Sequence, residues 1–173
     1  MGFSVIDFDI LTKQIINTQA FTIRGEKAIT SMTHSELFGN RLGRIEALRD
    51  ALYSHFVYFR PNFVISETPF MGSHAAAYGA LVETLAAIRD ALALYDPYMP
   101  LNGIDPPSTK RSVGAAGNAK KPEMQKAVGA LLSELCYNPA QSGDFWLLDE
   151  HSVDAIAIGK TMHNWIKNCS FPF

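Results

Sequence analysis

Three groups of residues in this sequence have the types and spacing to do chemistry. The first is Glu67, at the end of the stretch Phe63-Val64-Ile65-Ser66-Glu67-Thr68-Pro69-Phe70-Met71. Phe63 to Ile65 is an apolar run long enough for a buried strand, and Pro69 lacks the N–H that further ladder pairing needs. A carboxylate at the mouth of a buried strand is costly unless it meets water, a cation or a proton donor. The second is His151 with Asp154, three residues apart and so on one face of a helix. Two carboxylates and an imidazole suit Mg²⁺ or Mn²⁺, which can activate water and offset charge on a phosphoryl transition state. The third runs from Lys110 to Lys121. It carries Lys110, Arg111, Lys120 and Lys121 and holds no acid. It reads either as a solvated flexible loop or as a clamp on a phosphate backbone, with N–H groups near Gly114 and Gly117 open to phosphates. Asp149 and Glu150 read as helix-capping acids rather than catalytic ones. His34, His55, His74 and His163 have no partner at ligand spacing and read as surface or core residues.

These groups must be positioned by a core, and the composition supplies one. The 173 residues are 47% hydrophobic and 18% charged, which fits one globular domain over 1–173 and excludes a disordered or fibrous chain. The net charge of −2 gives no global basic field, so any nucleic-acid surface must come from local clusters. Cys136 and Cys169 stand in no metal-type spacing and read as reduced thiols of a cytoplasmic protein. No apolar run approaches the roughly 20 residues that span a bilayer, and no phosphate-loop, dinucleotide or nucleophile motif suggests a metabolic enzyme.

The positioning elements follow from periodicity. Gly2 to Phe8 and Ile15 to Ile23 read as a hairpin across a polar Asp9–Gln14 turn. Residues 24–40 read as a long loop. Leu42, Ile45, Leu48, Leu52, Phe56 and Phe59 mark an amphipathic helix over 41–59 that Pro61 stops. The Glu67 strand comes next. A helix opening at Ser73 follows, with a face of Ala76, Ala77, Ala80, Leu81, Thr84, Leu85, Ile88 and Leu92. Leu101–Ile104 is a short strand that Pro106-Pro107 closes. Pro122 suits the first turn of a helix striped by Met124, Val128, Leu131, Leu132 and Leu135. After a loop over 138–143, a last helix starts near Glu150. Strand–helix–strand around Glu67 implies an α/β layered fold, in which sites sit at the carboxyl ends of strands.

In this order the chain resembles the RuvC-type Holliday junction resolvases, of the ribonuclease H-like superfamily. Gly2–Ile6 is similar to the family's second strand, and Val64–Met71 to its fourth. The helix with Ala75-Ala76-Ala77-Tyr78-Gly79 is similar to the one that follows it. Thr109–Val113 and Gly117–Lys121 resemble the DNA-contacting segment, with Lys110 and Lys121 at family lysine positions. His151-Ser152-Val153-Asp154-Ala155-Ile156-Ala157-Ile158 resembles the closing motif. The resemblance implies a mixed α/β sheet with helices on both faces. It implies a divalent-metal-dependent endonuclease for four-way DNA junctions, active as a homodimer in a bacterial or phage-infected cell. It makes Glu67, His151 and Asp154 catalytic metal ligands for Mg²⁺ or Mn²⁺. Lys110, Arg111, Lys120 and Lys121 become DNA contacts.

The chain departs from the family in one place. Members carry a further Asp on a first strand, which here is absent, unless Phe3–Asp9 is that strand and Asp7 that acid. Losing a central strand removes several buried residues at roughly 1.5–3 kcal/mol each, comparable with the roughly 5–15 kcal/mol stability of a domain. The expectation is therefore that Met1 is an internal start, with the strand encoded upstream. Two other readings stand beside cleavage: a junction-binding protein that does not cut, and a ribonuclease H-like nuclease for other branched DNA.

Overall fold

The computed structural model describes residues 1–24, 39–69 and 75–169, with the side chains of 75–77 outside that description. Most of the loop expected over 24–40 lies outside the described residues, as do Phe70, Met71 and the expected cap Ser73. The chain divides into two compact units, Met1–Thr22 with Ile104–Phe173, and Ile23–Gly103.

The first unit is built around its last helix. Strands β1 (Gly2–Phe8) and β2 (Ile15–Thr22) form the expected antiparallel hairpin, in register from Gly2↔Thr22, with an irregularity between Asp7 and Phe8. The turn is organised by Asp9, whose Oδ1 accepts from the Leu11 and Thr12 N–H groups at 2.8 and 2.7 Å. Those N–H groups, Thr12's first, hold its carboxyl below the usual range. Strand alternation sends Ser4, Ile6, Thr18 and Ala20 to one face and stacks Phe3 on Phe21 on the other, ring centres 5.1 Å apart.

The helix α6 (Glu150–Asn168) lies on the first of these faces, as close as glycine permits. A Cβ at Gly159 would stand 2.8 Å from Ile6 Cδ1, and one at Gly2 only 1.7 Å from the His151 carbonyl oxygen. Ser4 Oγ donates to the Ala155 carbonyl at 2.7 Å. Val153, Ile156 and Ala157 of α6 meet Ile15, Ala20, Val113, Met124, Val128, Leu135 and Phe145 in the buried core.

Between Ile104 and α6 the chain forms α3 (Pro106–Ser112), α4 (Lys121–Gly129), the short α5 (Pro139–Ser142) and a 3₁₀ turn at Phe145–Leu147. Two expectations change here. The stripe from Met124 to Leu135 is one helix only as far as Gly129; Leu131, Leu132 and Leu135 sit in hydrogen-bonded turns and still pack on the core. The expected loop at 138–143 contains α5, capped by Asn138, whose Oδ1 accepts from the Ala140 N–H at 3.1 Å.

The second unit carries α1 (Asn40–Phe59), β3 (Val64–Glu67), α2 (Ala75–Tyr95) and β4 (Leu101–Ile104, whose last residue belongs to the first unit). Helices α1 and α2 pack together, with Arg41 Nε 2.8 Å from Glu83 Oε2 near one end and Phe56 against Tyr95 near the other. Those two contacts set the helices running in the same direction, as a helix–strand–helix unit requires. The buried face of α2 is Ala87, Ile88, Ala91 and Leu92, while Ala80 and Leu81, expected inside, are exposed. β3 and β4 are hydrogen-bonded neighbours, and Asn102 Nδ2 donates to the Val64 carbonyl at 3.1 Å. Among the described residues the strands form two two-stranded pieces, β1–β2 and β3–β4. This mixed helix and strand content is compatible with a ribonuclease H-like α/β fold.

A buried polar network ties α6 to its surroundings. Lys160 is 4% exposed and donates to Glu134 Oε1 at 2.6 Å, with His163 Nδ1 3.4 Å from its ammonium. His163 Nε2 donates to the Lys13 carbonyl at 2.9 Å, so Nδ1 is the acceptor and the imidazole is neutral. Burial lowers the affinity of His163 for a proton below an imidazole's ordinary 6.5, and Lys160 and Lys167 add to this against the Lys13 carbonyl and Glu134. The unfolded chain then binds more protons than the folded one, so stability is whole above pH 6.5 and is lost as pH falls through the folded value. Thermal unfolding followed from pH 7.5 to 5 should show this loss, and His163→Gln should flatten it. His55, also lowered by burial, keeps its share of the slope in that variant. Equal slopes for the two proteins would exclude His163 as a source.

Candidate nucleic-acid interface

The start of α6 is where the first unit concentrates charge. Asp149 is the helix N-cap, as expected, with Oδ1 accepting from the Ser152 N–H at 2.9 Å and Oδ2 from the Thr22 hydroxyl. Burial pushes its carboxyl up, but the Thr22 and Ser152 hydrogen bonds outweigh this and leave it below the ordinary range. Asp149 is thereby committed to structure. Glu150 holds an ion pair with Lys121, the first residue of α4, while its other oxygen lies 3.9 Å from His151 Nε2.

Asp154 lies one turn into the helix. Its neighbours Val153, Ala155, Ile156 and Ala157 are all buried. The side chain itself remains exposed, yet the protein around it makes desolvation the leading influence and raises its carboxyl above the usual carboxylate range. His151 pulls in the opposite direction, Glu150 reinforces the rise, and Lys110 and Lys121 lower it. Among the described residues Asp154 has no hydrogen bond or ion pair. An exposed carboxylate set in an otherwise buried stretch of helix, with no side-chain partner among the described residues, is open to a cation.

The basic segment is folded rather than loose. Asp105 caps α3 by accepting from the Ser108 N–H at 2.8 Å, with Pro106 in the first turn. The helix ends at Gly114, φ +80°, with Ala115 N–H donating to the Lys110 carbonyl and Gly114 N–H to the Arg111 carbonyl, both at 3.0 Å. This is a Schellman ending, which needs glycine at that position. The Gly114 N–H, expected to be open to a phosphate, is therefore used inside the protein. The loop that follows is closed by Lys110, whose Nζ donates to the Ala119 carbonyl at 2.8 Å. Lys120 caps α4 through its N–H to Glu123 Oε2 at 2.7 Å. Arg111 holds Ser108 Oγ at 3.1 Å. Arg111, Lys120 and Lys121 are exposed, and Lys110 is half-buried.

One unit thus contains Lys110, Arg111, Lys120, Lys121, His151 and Asp154, and the influence of Lys110 and Lys121 on Asp154 ties the basic segment to the acidic helix start. Glu67 is exposed at the carboxyl end of β3 in the other unit. Asp7 is exposed near the end of β1, where Oδ2 accepts from Asn17 Nδ2 at 3.2 Å. Among the described residues no group of three or more His, Cys, Asp or Glu could hold a metal ion; His151 and Asp154 offer two donors of the right chemistry for a hard divalent cation. Glu150, expected only as a capping acid, instead joins Lys121 to His151. Helix α3 was not expected, although Asp105-Pro106 signals its start and Gly114 its stop.

No protein-family model matches the sequence, and neither does any characterised protein it was compared with. The fold has clear relatives among solved structures. A Thermus thermophilus RuvC structure matches with a TM-score of 0.56 at 17% identity, over 93% of this chain and 92% of that one. T. thermophilus RuvC in complex with a Holliday junction substrate matches with a TM-score of 0.58 at 16% identity, over 93% of this chain and 91% of that one. No helix among the described residues is long and apolar enough to cross a membrane.

Proposed function

We propose, with the RuvC-type fold as premise, that this chain is a structure-selective DNA endonuclease that cuts four-way junctions by metal-dependent phosphodiester hydrolysis. The observation that supports this most is Asp154. It is an unpartnered, partly desolvated carboxylate beside His151, within the electrostatic reach of two lysines. The fold that carries it is similar to a protein solved with a Holliday junction.

Asp154, His151 and Glu67 are the residues proposed to hold Mg²⁺ or Mn²⁺; the place of Glu67 in that set rests on the sequence resemblance of its strand. When bound, the ion supplies an activated water and stabilises the leaving 3′-oxygen. The chain itself binds and orients the strand. Arg111, Lys120 and Lys121 meet phosphates, each contact strengthening binding at low salt. The Lys121–Glu150 pair is exposed and so worth about 0–1 kcal/mol, weak enough for Lys121 to leave it for a phosphate. Lys110 orders the segment through Ala119 and retains further N–H donors for DNA. Two symmetric cuts in a four-way junction call for a two-fold enzyme, hence a homodimer.

The test is an end-labelled four-way junction incubated with the protein and Mg²⁺, beside a flap and a plain duplex. Paired nicks across the junction are expected, and Glu67→Gln should lose them. Undiminished cleavage by Glu67→Gln removes that residue from the site. Tight binding with no cleavage at any Mg²⁺ or Mn²⁺ concentration favours a junction-binding protein. Faster cleavage of the flap moves the substrate to other branched DNA.

A further inference from the structure

The 3₁₀ turn that leads into α6 presents two apolar side chains to solvent. Trp146 is 57% exposed and Leu147 83% exposed, only three and two residues before the Asp149 cap. The turn that holds them is rigid. Asp144 Oδ1 accepts from the Trp146 N–H and the Asp144 carbonyl from the Leu147 N–H, both at 3.0 Å. Phe145 between them is buried, with Tyr137 edge-on at 5.7 Å, and the Trp146 ring stands nearly perpendicular to Phe145 at 5.2 Å. The indole thus touches the core through Phe145 and keeps more than half of its surface open to solvent. Two adjacent apolar side chains fixed at the surface offer an ordered face to a partner.

Its surroundings indicate what that face would contact. One line of residues along α4 (Lys121, Gln125 and Gly129, spaced by four) runs from the charged cluster to the indole. Lys121 pairs with Glu150 at one end. Gln125 Nε2 donates to the Trp146 carbonyl at 3.3 Å in the middle. At the other end a Cβ at Gly129 would lie 2.6 Å from the Trp146 ring, so the ring rests against bare backbone. The line is about 12 Å long at 1.5 Å per residue, about the length of three to four stacked nucleotides. Exposed Lys120 and Lys121 begin it and exposed Lys126 flanks it. Exposed lysines at the start of a line that ends on an ordered aromatic ring bring together the two means by which nucleic-acid strands are bound, phosphate contact and base stacking.

We infer that Trp146, backed by Leu147, is a stacking platform for an unpaired base of a DNA strand whose phosphates lie on Lys120 and Lys121. This rests on the proposed function, which supplies the DNA, and adds to it a base-contacting residue and a preference for DNA with unstacked bases, as at an open branch point. A closed duplex keeps its bases stacked on one another and offers none to the indole.

The two tryptophans of the chain make the test direct. In Trp165→Phe all indole emission comes from Trp146. This protein is titrated with a four-way junction, a single-stranded oligonucleotide and a blunt duplex, with anisotropy of labelled DNA reporting binding in parallel. Emission should be quenched by the junction and the single strand and far less by the duplex. In the otherwise natural chain, Trp146→Ala should weaken junction and single-strand binding by about 5- to 150-fold, the loss of one stacked base. Trp146→Phe should restore most of it, with the melting temperature of each variant confirming the fold. DNA binding with unchanged emission, and undiminished affinity in Trp146→Ala, overturns the platform while leaving the endonuclease reading intact. No DNA binding by the unaltered chain overturns both. A change of oligomeric state in Trp146→Ala, with DNA affinity retained, assigns the patch to a protein contact and overturns the inference.

Discussion

Asp154→Asn is expected to lower cleavage of a four-way junction by about 10²-fold or more, the scale seen when one preorganised charge is removed from a transition state. The melting temperature should stay level or rise. The sign follows from the carboxyl's surroundings. Desolvation raises its proton affinity above that of the unfolded chain, so the ionised form works against folding near neutral pH. Asn has nearly the same shape without the charge. An acid with a structural task behaves in the opposite way. Asp149, held by Thr22 and Ser152, should cost stability when changed to Asn, because two hydrogen bonds to an anion weaken. Measuring cleavage and thermal unfolding on both variants separates the roles. A stable, fully active Asp154→Asn protein removes Asp154 from the site.

Glu134→Ala is expected to destabilise the chain by about 2–3 kcal/mol, towards the lower end for a buried pair broken from one side because Glu134 is itself half exposed. The loss would come from Lys160. Its ammonium is buried in the middle of α6, with Glu134 as its ion-pair partner and the neutral His163 as its other neighbour. Without Glu134 the lysine must carry an uncompensated charge or give up its proton. Lys160→Met should cost far less, since methionine fills the same volume without a charge. The double variant Glu134→Ala with Lys160→Met should then recover most of the loss, a coupling that urea unfolding of the four proteins measures. Additive losses would show that Glu134 acts through something other than Lys160.

The same residues show how far the sequence could be read. His151 and Asp154 were legible as a pair because helical spacing alone puts them on one face. The hairpin, α1 and α6 were legible because their apolar residues keep a period of two or of three and four, and β3 and β4 because short apolar runs end at prolines. Helix α3 was hidden by the pair Pro106-Pro107, which reads as a strand stop although proline at the first turn starts a helix once Asp105 caps it. The stripe from Met124 to Leu135 kept its periodicity past Gly129, yet the helix did not: glycine is a poor helix former, and the chain passes there into hydrogen-bonded turns that keep the leucines on the core. The face expected for α2 holds at Ile88 and Leu92 and fails at Ala80 and Leu81. Alanine and leucine stand on both sides of that helix, and packing on α1 chooses between them.

By itself, the sequence determined what local spacing and composition can determine. It set a mixed α/β chain, most element boundaries, and the residues Glu67, His151, Asp154, Lys110, Arg111, Lys120 and Lys121 as those with chemistry to offer. Tertiary structure decided which charges meet. The Lys121–Glu150 pair, the closure of the basic loop by Lys110 and the burial of Lys160 against Glu134 each join residues that no repeat period relates. Asp154 shows the division within one residue. Its helical place is written in the local sequence. Its raised proton affinity comes from protein packed around it and from lysines more than thirty residues away, and only the folded chain brings those together.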